Sequence, residues 1–326
     1  MRLGGTARYL TEVHDKAELP KLFAWAKQHK VDVIVIGTGS NIIWRDEGFD
    51  GLVLVNAIPG FVMDTEDEDT YVTVGAGENW DEVVRRCCDT GLNGIAELSL
   101  IPGTAGATPV QNVGAYGREI SDVLVSVEAY DRTSDEFVTL AADECEFGYR
   151  RSRFNTTEKH QYVIVSIRMQ LSRSMPHAPY YQAVEDYFAA KGISQPTVMD
   201  VRNAVVAIRS QKLPDPAVVA NNGSFFANPI ISQQAYDNNP ALHAIRSWEL
   251  DDGTVKLAAA SLLEAAGFKD CRDEETGMAT WPKQPLVLVN ESATSTNQLL
   301  AFREKIVSTV QQKFGITLEQ EPELLP

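Results

Sequence analysis

With 326 residues, 44% of them hydrophobic, the chain is long enough for two or three domains with cores of their own, and disorder is excluded as its general state. A formal charge of -16 repels phosphate backbones and anionic lipid heads, so neither nucleic acid nor a membrane surface is an expected partner; the basic residues cluster only at Arg150, Arg151 and Arg153. Four cysteines, with Cys87 and Cys88 adjacent, make neither a CxxC pair nor a disulfide framework, as expected in a reducing compartment. The opening MRLGGTARYL contains no apolar core of signal-peptide length and no later run approaches a membrane span, so a soluble cytoplasmic protein is expected.

A short strand-like start leads to an amphipathic helix over Glu18 to Lys30, with Leu19, Leu22, Phe23 and Ala26 on one face and Pro20 in the first turn, where it is tolerated. The buried strand VDVIVI follows and runs into Gly37-Thr38-Gly39-Ser40-Asn41, after which strand character returns in GLVLVN from Gly51. A Rossmann fingerprint requires strand, GxGxxG and then a helix; Ile42 stands where the third glycine belongs and no helix follows, which rejects that mode of binding. The acidic run Asp64 to Asp69 reads as a solvated turn. From Tyr71 the pattern is strand, a helix over Trp80 to Asp89 stopped by Gly91, a glycine-rich loop, and strands at Leu124 to Tyr130, Glu136 to Leu140 and Tyr162 to Leu171. The polar, proline-bearing stretch Ser172 to Pro179 reads as a linker. Beyond it, helices at Gln182 to Lys191, Thr197 to Gln211, Lys256 to Ala266 and Ser295 to Phe314 flank the strand PLVLVN, with Gly267 as a helix stop.

Five features carry chemistry. The loop IPGTAGATPVQNVGAYG, from Ile101 to Gly117, has Gly103, Gly106, Gly114 and Gly117 to free its backbone, so it is either an ordinary surface loop or a cradle whose N–H groups bind a pyrophosphate. Arg150, in FGYRRS, is a surface ion pair or a rigid guanidinium offered bidentately to a carboxylate. Ser224, in NNGSFFANP, makes a turn hydrogen bond or donates a proton; without a G-x-S-x-G elbow it is no hydrolase nucleophile. Arg209 and Lys212, in IRSQKLPDP, complement a helix C-terminus or clamp a diphosphate. The acidic tail LEQEPE holds Glu319, Glu321 and Glu323, where solvated carboxylates are the usual finding. The five histidines have no ligand spacing, and no metal is expected.

Taken in order, LGGTARYL, the strand with GTGSN, IPGTAGATPVQNVGAYG, GYRRS, IRSQKLPDP, NNGSFFANP, PLVLVN and FGITLEQE resemble the UDP-N-acetylenolpyruvoylglucosamine reductase family, flavoenzymes of bacterial peptidoglycan synthesis, across nearly the whole chain. The segment with Tyr180 and Tyr181 resembles the longer of the family's two variants, in which a tyrosine loop covers the substrate. The resemblance implies an α+β protein. Its FAD-binding region would be two-part, of the vanillyl-alcohol-oxidase type (residues 1–56 and 57–172), followed by an α+β substrate-binding domain (173–313) and a tail (314–326) carrying a catalytic glutamate.

It further implies FAD held noncovalently, in keeping with the absence of histidine from both loops, by Gly37, Thr38, Gly39, Ser40 and Asn41 and by Pro102, Gly103, Gly106, Ala107, Gln111, Asn112 and Gly114. NADPH would deliver hydride to the flavin, and the flavin to the enolpyruvyl group of UDP-N-acetylglucosamine enolpyruvate, giving UDP-N-acetylmuramate. Arg150 and Glu321 match the pair that stabilises developing charge, Ser224 the proton donor, and Tyr181, Arg209, Lys212, Asn228 and Gln284 the substrate-holding positions. This sequence departs from the family's pattern in three places: it begins almost inside the first motif, Pro322 follows Glu321 and leaves Glu319 and Glu323 as rivals, and Trp281 stands where many members have histidine. The competing readings are a flavin oxidase using oxygen, which KLPDP together with NNGSFFANP argues against, and a flavin-binding protein without turnover.

Overall fold

Residues 1–66 and 69–326 are described by a computed structural model, and within it two units each have their own core. The larger comprises Ala7–Ser40 and Asp50–Gln211; the smaller comprises Met1–Thr6, Asn41–Phe49 and Lys212–Pro326. Both mix helices with sheets, the α+β architecture expected from the sequence. Of the acidic run Asp64 to Asp69, the first three residues end the strand Phe61–Glu66 and Asp69 begins the strand Asp69–Gly75; residues 67–68, on which the expected turn falls, lie outside the described residues.

In the larger unit the strand Tyr162–Ser172 is central to an antiparallel sheet ordered Glu136–Ala141, Leu124–Asp131, Tyr162–Ser172, Asp69–Gly75, Phe61–Glu66. The strand serves two cores, and a bulge sets which residues face which. Ile164 pairs with Ala129 and Ser166 with Glu128, so Val165 is the extra residue and the side-chain alternation reverses across it. Val163 and Val165 consequently join the core around helix α1 (Leu19–His29), while Ile167, Met169 and Leu171 join the one around helix α2 (Trp80–Asp89). Helix α1 precedes Val33–Ile36, which pairs in parallel with Phe49–Asn56. Helix α2 has the bounds expected from sequence. Asn79 caps it by accepting from the Glu82 amide at 3.0 Å, and Trp80, Val83, Val84, Cys87 and Cys88 form its buried face. Burial pushes the thiols of Cys87 and Cys88 up to about 12, so both behave as core residues.

Helices α3 (Gln182–Lys191) and α4 (Val198–Lys212) depart from the division the resemblance implies at residue 173. Val184, Phe188, Val201, Ala204 and Val205 share the core of α2, and this apolar face assigns 173–211 to the larger unit despite the polar stretch before it.

The smaller unit is built on a sheet ordered Asn221–Ser224, Gln284–Asn290, Met278–Trp281, Arg272–Asp273. The continuous apolar run PLVLVN is covered on both faces: Leu286 and Leu288 pack into the main core, Val287 and Val289 against Ala279, Leu213 and Trp281. A second sheet, in which Thr254–Leu257 lies between Ile230–Ser232 and Ser247–Glu249, corrects the helix expected from Lys256. Val255 and Leu257 alternate with half-buried neighbours and fit a pleated surface, so after the short helix α5 (Gln233–Asp237), helix α6 (Ala259–Ala265) starts later than expected. It ends as anticipated at Gly267, whose φ is +94.

Helix α7 (Thr296–Phe314) explains why Asn41–Phe49, enclosed in sequence by the larger unit, belongs to the smaller one. Asp46 accepts from the amides of Thr296 and Asn297 at 2.6 and 3.0 Å, and Thr296 Oγ1 donates to the Trp44 carbonyl at 2.6 Å. Ile42–Trp44 also pairs in parallel with Glu323–Leu325. Among the described residues no helix is long and apolar enough to cross a membrane. Replacing Asp46 by Ala leaves two amides of the α7 N-terminus without an acceptor, so Asp46→Ala is expected to cost about 1–2 kcal/mol, seen as a lower denaturation midpoint with unchanged slope.

Candidate active site

Two glycine-bearing segments of the larger unit abut. A Cβ on Gly37 would stand 2.7 Å from Thr104 Oγ1, and one on Gly103 3.1 Å from Ser40 Oγ, which itself donates to the Pro102 carbonyl at 3.2 Å. Gly39 and Gly103 have φ of +74 and +132, which side chains disfavour. The amides of Thr38, Gly39, Gly103 and Thr104 donate to no protein acceptor among the described residues. Such neighbouring, unengaged N–H groups make an anion-binding concavity without a basic side chain.

The remainder of the loop has a different task. The amide of Ala105 donates to Glu78 O and that of Gly106 to Ala76 O, both at 2.9 Å, and those of Ala107, Asn112 and Val113 are bonded within the loop. A Cβ on Gly106 would lie 2.5 Å from Ala76 Cβ. The expectation of one continuous cradle from Pro102 to Gly114 therefore narrows: the amides of Gly106, Ala107 and Asn112 hold the loop's shape. Asn112 is buried and uses its whole side chain, donating from Nδ2 to Glu119 Oε2 (2.6 Å) and Gly148 O (3.1 Å) and accepting from the Ser121 amide. Gln111, beside it, is half-buried.

Arg150 occupies a tight turn in which the amides of Gly148 and Arg151 each donate to the other's carbonyl, and its φ is +56. Its Nη2 donates to the Gly114 carbonyl at 2.9 Å, Nη1 lies 4.0 Å from Glu119 Oε1, and the side chain is 23% exposed. That is a rigid, partly open guanidinium. Nearby in the loop, Tyr116 stacks edge-on with Tyr181 at 5.5 Å and lies beside Arg209, whose Nε donates to the Leu100 carbonyl at 3.2 Å. Burial raises the Tyr116 phenol. Of the two adjacent tyrosines, Tyr181 is exposed while Tyr180 packs on Phe188. Sequence reasoning passed over Tyr116 and Glu97. Glu97 is 8% exposed, its Oε1 is 3.9 Å from Arg118 Nε, its Oε2 has no hydrogen-bond partner among the described residues, and burial raises its carboxyl above the usual range. The signal available for Glu97 was its place inside the apolar run around Ala96 and Leu98.

In the smaller unit Ser224 is exposed at the end of its strand, next to Gly223 with φ +72, while Phe225 and Phe226 are buried and pack edge-on at 5.2 Å. The aromatics pin the backbone and leave the hydroxyl at the surface. The C-terminal tail pairs with this segment: Glu321 N donates to Phe225 O at 2.9 Å, and Ala227 N to Glu319 O at 3.0 Å. Asn41 Nδ2 donates to the Glu321 carbonyl at 3.3 Å. Among the rival glutamates, Glu321 is the one whose backbone meets the residue after Ser224; Glu319 is exposed, and Glu323 lies in the strand beside Ile42. Asn228 Oδ1 accepts from the first amide of α6, at Ala259, at 2.9 Å. Lys212 is exposed, and its carbonyl accepts from Trp281 Nε1 at 3.1 Å; Trp281 pairs with Gln284 across a tight hairpin. Arg150, Tyr181 and Arg209 thus belong to the larger unit, and Ser224, Glu321, Lys212, Asn228 and Gln284 to the smaller.

Residues 7–140 match the family "FAD binding domain", and residues 215–325 match "UDP-N-acetylenolpyruvoylglucosamine reductase, C-terminal domain". The chain is 40% identical over 321 residues to the UDP-N-acetylenolpyruvoylglucosamine reductase of Cupriavidus pinatubonensis, covering 98% of this chain and 94% of that one. It is 42% identical over 323 residues to the enzyme of that name from Pseudomonas savastanoi pv. phaseolicola, with coverage of 98% and 93%. A solved UDP-N-acetylenolpyruvylglucosamine reductase from Thermus caldophilus superimposes with a TM-score of 0.64 at 21% identity, covering 97% of this chain and 92% of that one, a likeness of fold.

Two outcomes are expected from this geometry. A methyl group at Gly106 forces the loop away from Ala76, so Gly106→Ala should weaken FAD binding by about tenfold or more in a flavin-fluorescence titration, the cost of overpacking a close contact. For Glu97 the pH dependence has a definite sign. Its folded carboxyl titrates above the unfolded value of about 4.3, so the stability of the native protein falls as pH rises from there through the folded value. Glu97→Gln lacks this loss and should melt with the parent at acid pH but above it at alkaline pH.

Proposed function

The chain belongs to the UDP-N-acetylenolpyruvoylglucosamine reductase family, and on that premise we propose that it reduces UDP-N-acetylglucosamine enolpyruvate to UDP-N-acetylmuramate, a step of peptidoglycan synthesis, with NADPH as the reductant. It is an FAD-containing oxidoreductase. Bound FAD would supply the hydride chemistry that links NADPH to the methylene carbon of the enolpyruvyl group. The amides of Thr38, Gly39, Gly103 and Thr104 fit the pyrophosphate of that cofactor, since Gly37 approaches Thr104 and Gly103 approaches Ser40 too closely for a Cβ and the four N–H groups have no protein acceptor among the described residues.

The protein's own task is to stabilise negative charge on the substrate carboxylate as the double bond is lost, and to protonate the carbon beside it. Arg150 bears that charge: its turn and its bond to Gly114 O fix the guanidinium before the reaction begins, so little reorganisation accompanies charge development. Glu321 assists, which requires that it be protonated or that it orient the arginine. Ser224 delivers the proton, a task that depends on placement more than acidity. Tyr181, Arg209, Lys212, Asn228 and Gln284 hold the nucleotide sugar and its diphosphate. The observation that most supports this reading is the pairing of the tail with the serine segment, Glu321 N to Phe225 O, which joins an exposed hydroxyl to an acidic residue from the far end of the chain.

Purified protein is expected to carry a flavin absorbance and to consume NADPH and the enolpyruvyl nucleotide together. Ser224→Ala should lower kcat by about 10²- to 10⁴-fold, the range of a lost general acid, with FAD binding retained. Turnover at the parental rate in that variant would remove Ser224 from the mechanism, and peroxide formation in place of nucleotide reduction would replace the reductase by an oxidase.

A further inference from the structure

One carboxylate joins helix α2, helix α4 and the residue at the entry to the glycine-rich loop. Asp81, the second residue of α2, accepts from the Leu100 amide at 2.5 Å through Oδ1. The same carboxylate receives a bidentate pair from Arg202 of α4, with Nη1 at 2.7 Å from Oδ1 and Nη2 at 3.0 Å from Oδ2. The Leu100 carbonyl, in turn, accepts from Nε of Arg209, about two turns further along α4. Leu100 has φ +57, a conformation that residues with a side chain avoid, and it is held there by one bond on its amide and another on its carbonyl. Burial opposes ionisation of Asp81, but the Arg202 guanidinium, the Leu100 amide and the charge of Arg209 together keep its carboxyl below the usual range.

The arrangement exceeds what α2 needs for its own stability. Its N-terminus is already capped by Asn79, and its buried face runs from Trp80 to Cys88 without Asp81. What Asp81 fixes instead is the point where the loop departs, immediately before Ile101, Pro102 and the unengaged amides of Gly103 and Thr104.

We propose that Asp81 is a positioning residue that couples the flavin loop to the substrate-holding arginine: through the Leu100 amide it sets the start of the loop, and through the Leu100 carbonyl the direction of Arg209. The inference rests on the reading above that this loop takes FAD and that Arg209 takes the nucleotide sugar. It predicts that one substitution, in contact with neither ligand, changes affinity for both.

The test is Asp81→Asn, which keeps a side chain of the same shape but removes the charge and turns an amide NH₂ toward Arg202. FAD affinity is measured by fluorescence titration of the apoprotein, and KM for UDP-N-acetylglucosamine enolpyruvate by steady-state kinetics. Both constants should rise about tenfold, the size of one lost charge-assisted hydrogen bond, with KM affected more than kcat. Adding Leu100→Gly, which occupies φ +57 without a side chain to resist it, should restore most of the flavin affinity to the Asp81→Asn protein. A merely structural role at α2 would show no such rescue. Both constants within twofold of the parent, or a loss that Leu100→Gly leaves untouched, overturns the proposal. If Asp81→Asn does not fold, Arg202→Lys reads the same constants: it keeps the charge but loses the bidentate fork, and unchanged values overturn the proposal as well. Should the parent bind FAD yet fail to turn over the nucleotide sugar, the functional reading falls, while the flavin titrations still decide the role of Asp81 toward the loop.

Discussion

Main-chain contact too close for a Cβ is the constraint on which the larger unit's site depends. Gly37 lies against Thr104, Gly106 against Ala76, and Gly114 against Arg118 O and Glu119. Each contact removes a side chain where two segments meet, and each decides which amides remain for a ligand. Where the loop runs against Ala76 and Glu78 its N–H groups are committed to carbonyls of the protein; where it meets Gly37 to Ser40 they are not. A glycine-rich sequence therefore does two kinds of work here. Gly106 and Gly114 bring the loop onto its support, and Gly39 and Gly103 turn the backbone through positive φ beside amides that no protein acceptor takes up among the described residues.

That distinction was not visible in the amino-acid sequence, although the loop itself was. Glycine marks a position where a side chain is not tolerated without saying whether a close contact or a positive φ requires it, and in IPGTAGATPVQNVGAYG both cases occur within a few residues, the first at Gly106 and Gly114 and the second at Gly103 and Gly117. The helices were legible for a simpler reason. In α2 the i, i+3, i+4, i+7, i+8 spacing from Trp80 to Cys88, with Asn79 before it, admits one reading. The strand Thr254–Leu257 was missed because its four residues continue into the Ala- and Leu-rich start of α6, and a strand that short has too few alternations to outweigh the helical run after it. The place of α3 and α4 in the larger unit was hidden by the polar stretch before them, since a linker-like composition marks a surface segment and carries no information about which core the next helix joins.

The smaller unit shows how a site residue acquires a fixed position from parts distant in sequence. NNGSFFANP alone suggests a turn. Its geometry comes from Phe225 and Phe226 filling the core, from the strand Gln284–Asn290 on one side, and from the tail on the other. The tail in turn is anchored by Ile42–Trp44, and that segment by the bonds of Asp46 and Thr296 at the start of α7. Pro322 is consistent with this chain of contacts. It follows the Glu321 amide that bonds Phe225 and is buried, so the lack of an N–H at 322 removes no donor that the Phe226 and Gln320 bridge requires.

Electrostatics separates the arginines by their partners. Arg85 is bound to Glu82 and Asp89, Arg153 to Glu158 and Arg202 to Asp81, so each has a carboxylate within hydrogen-bond reach. Arg209 is oriented instead by the Leu100 carbonyl, which fixes its direction without contributing a formal charge, while Asp81 acts on it only through space. Burial works against its cationic form, yet a guanidinium does not give up its proton in a protein, so it stays charged and incompletely solvated. On the function proposed, the anionic diphosphate of the substrate restores there what burial removed, in a protein whose total charge of -16 repels it elsewhere. On that same function, neutral amides in one place and a carbonyl-held cation in another are two solutions to one problem: binding anions at chosen points of an acidic molecule without making the whole surface attractive to them.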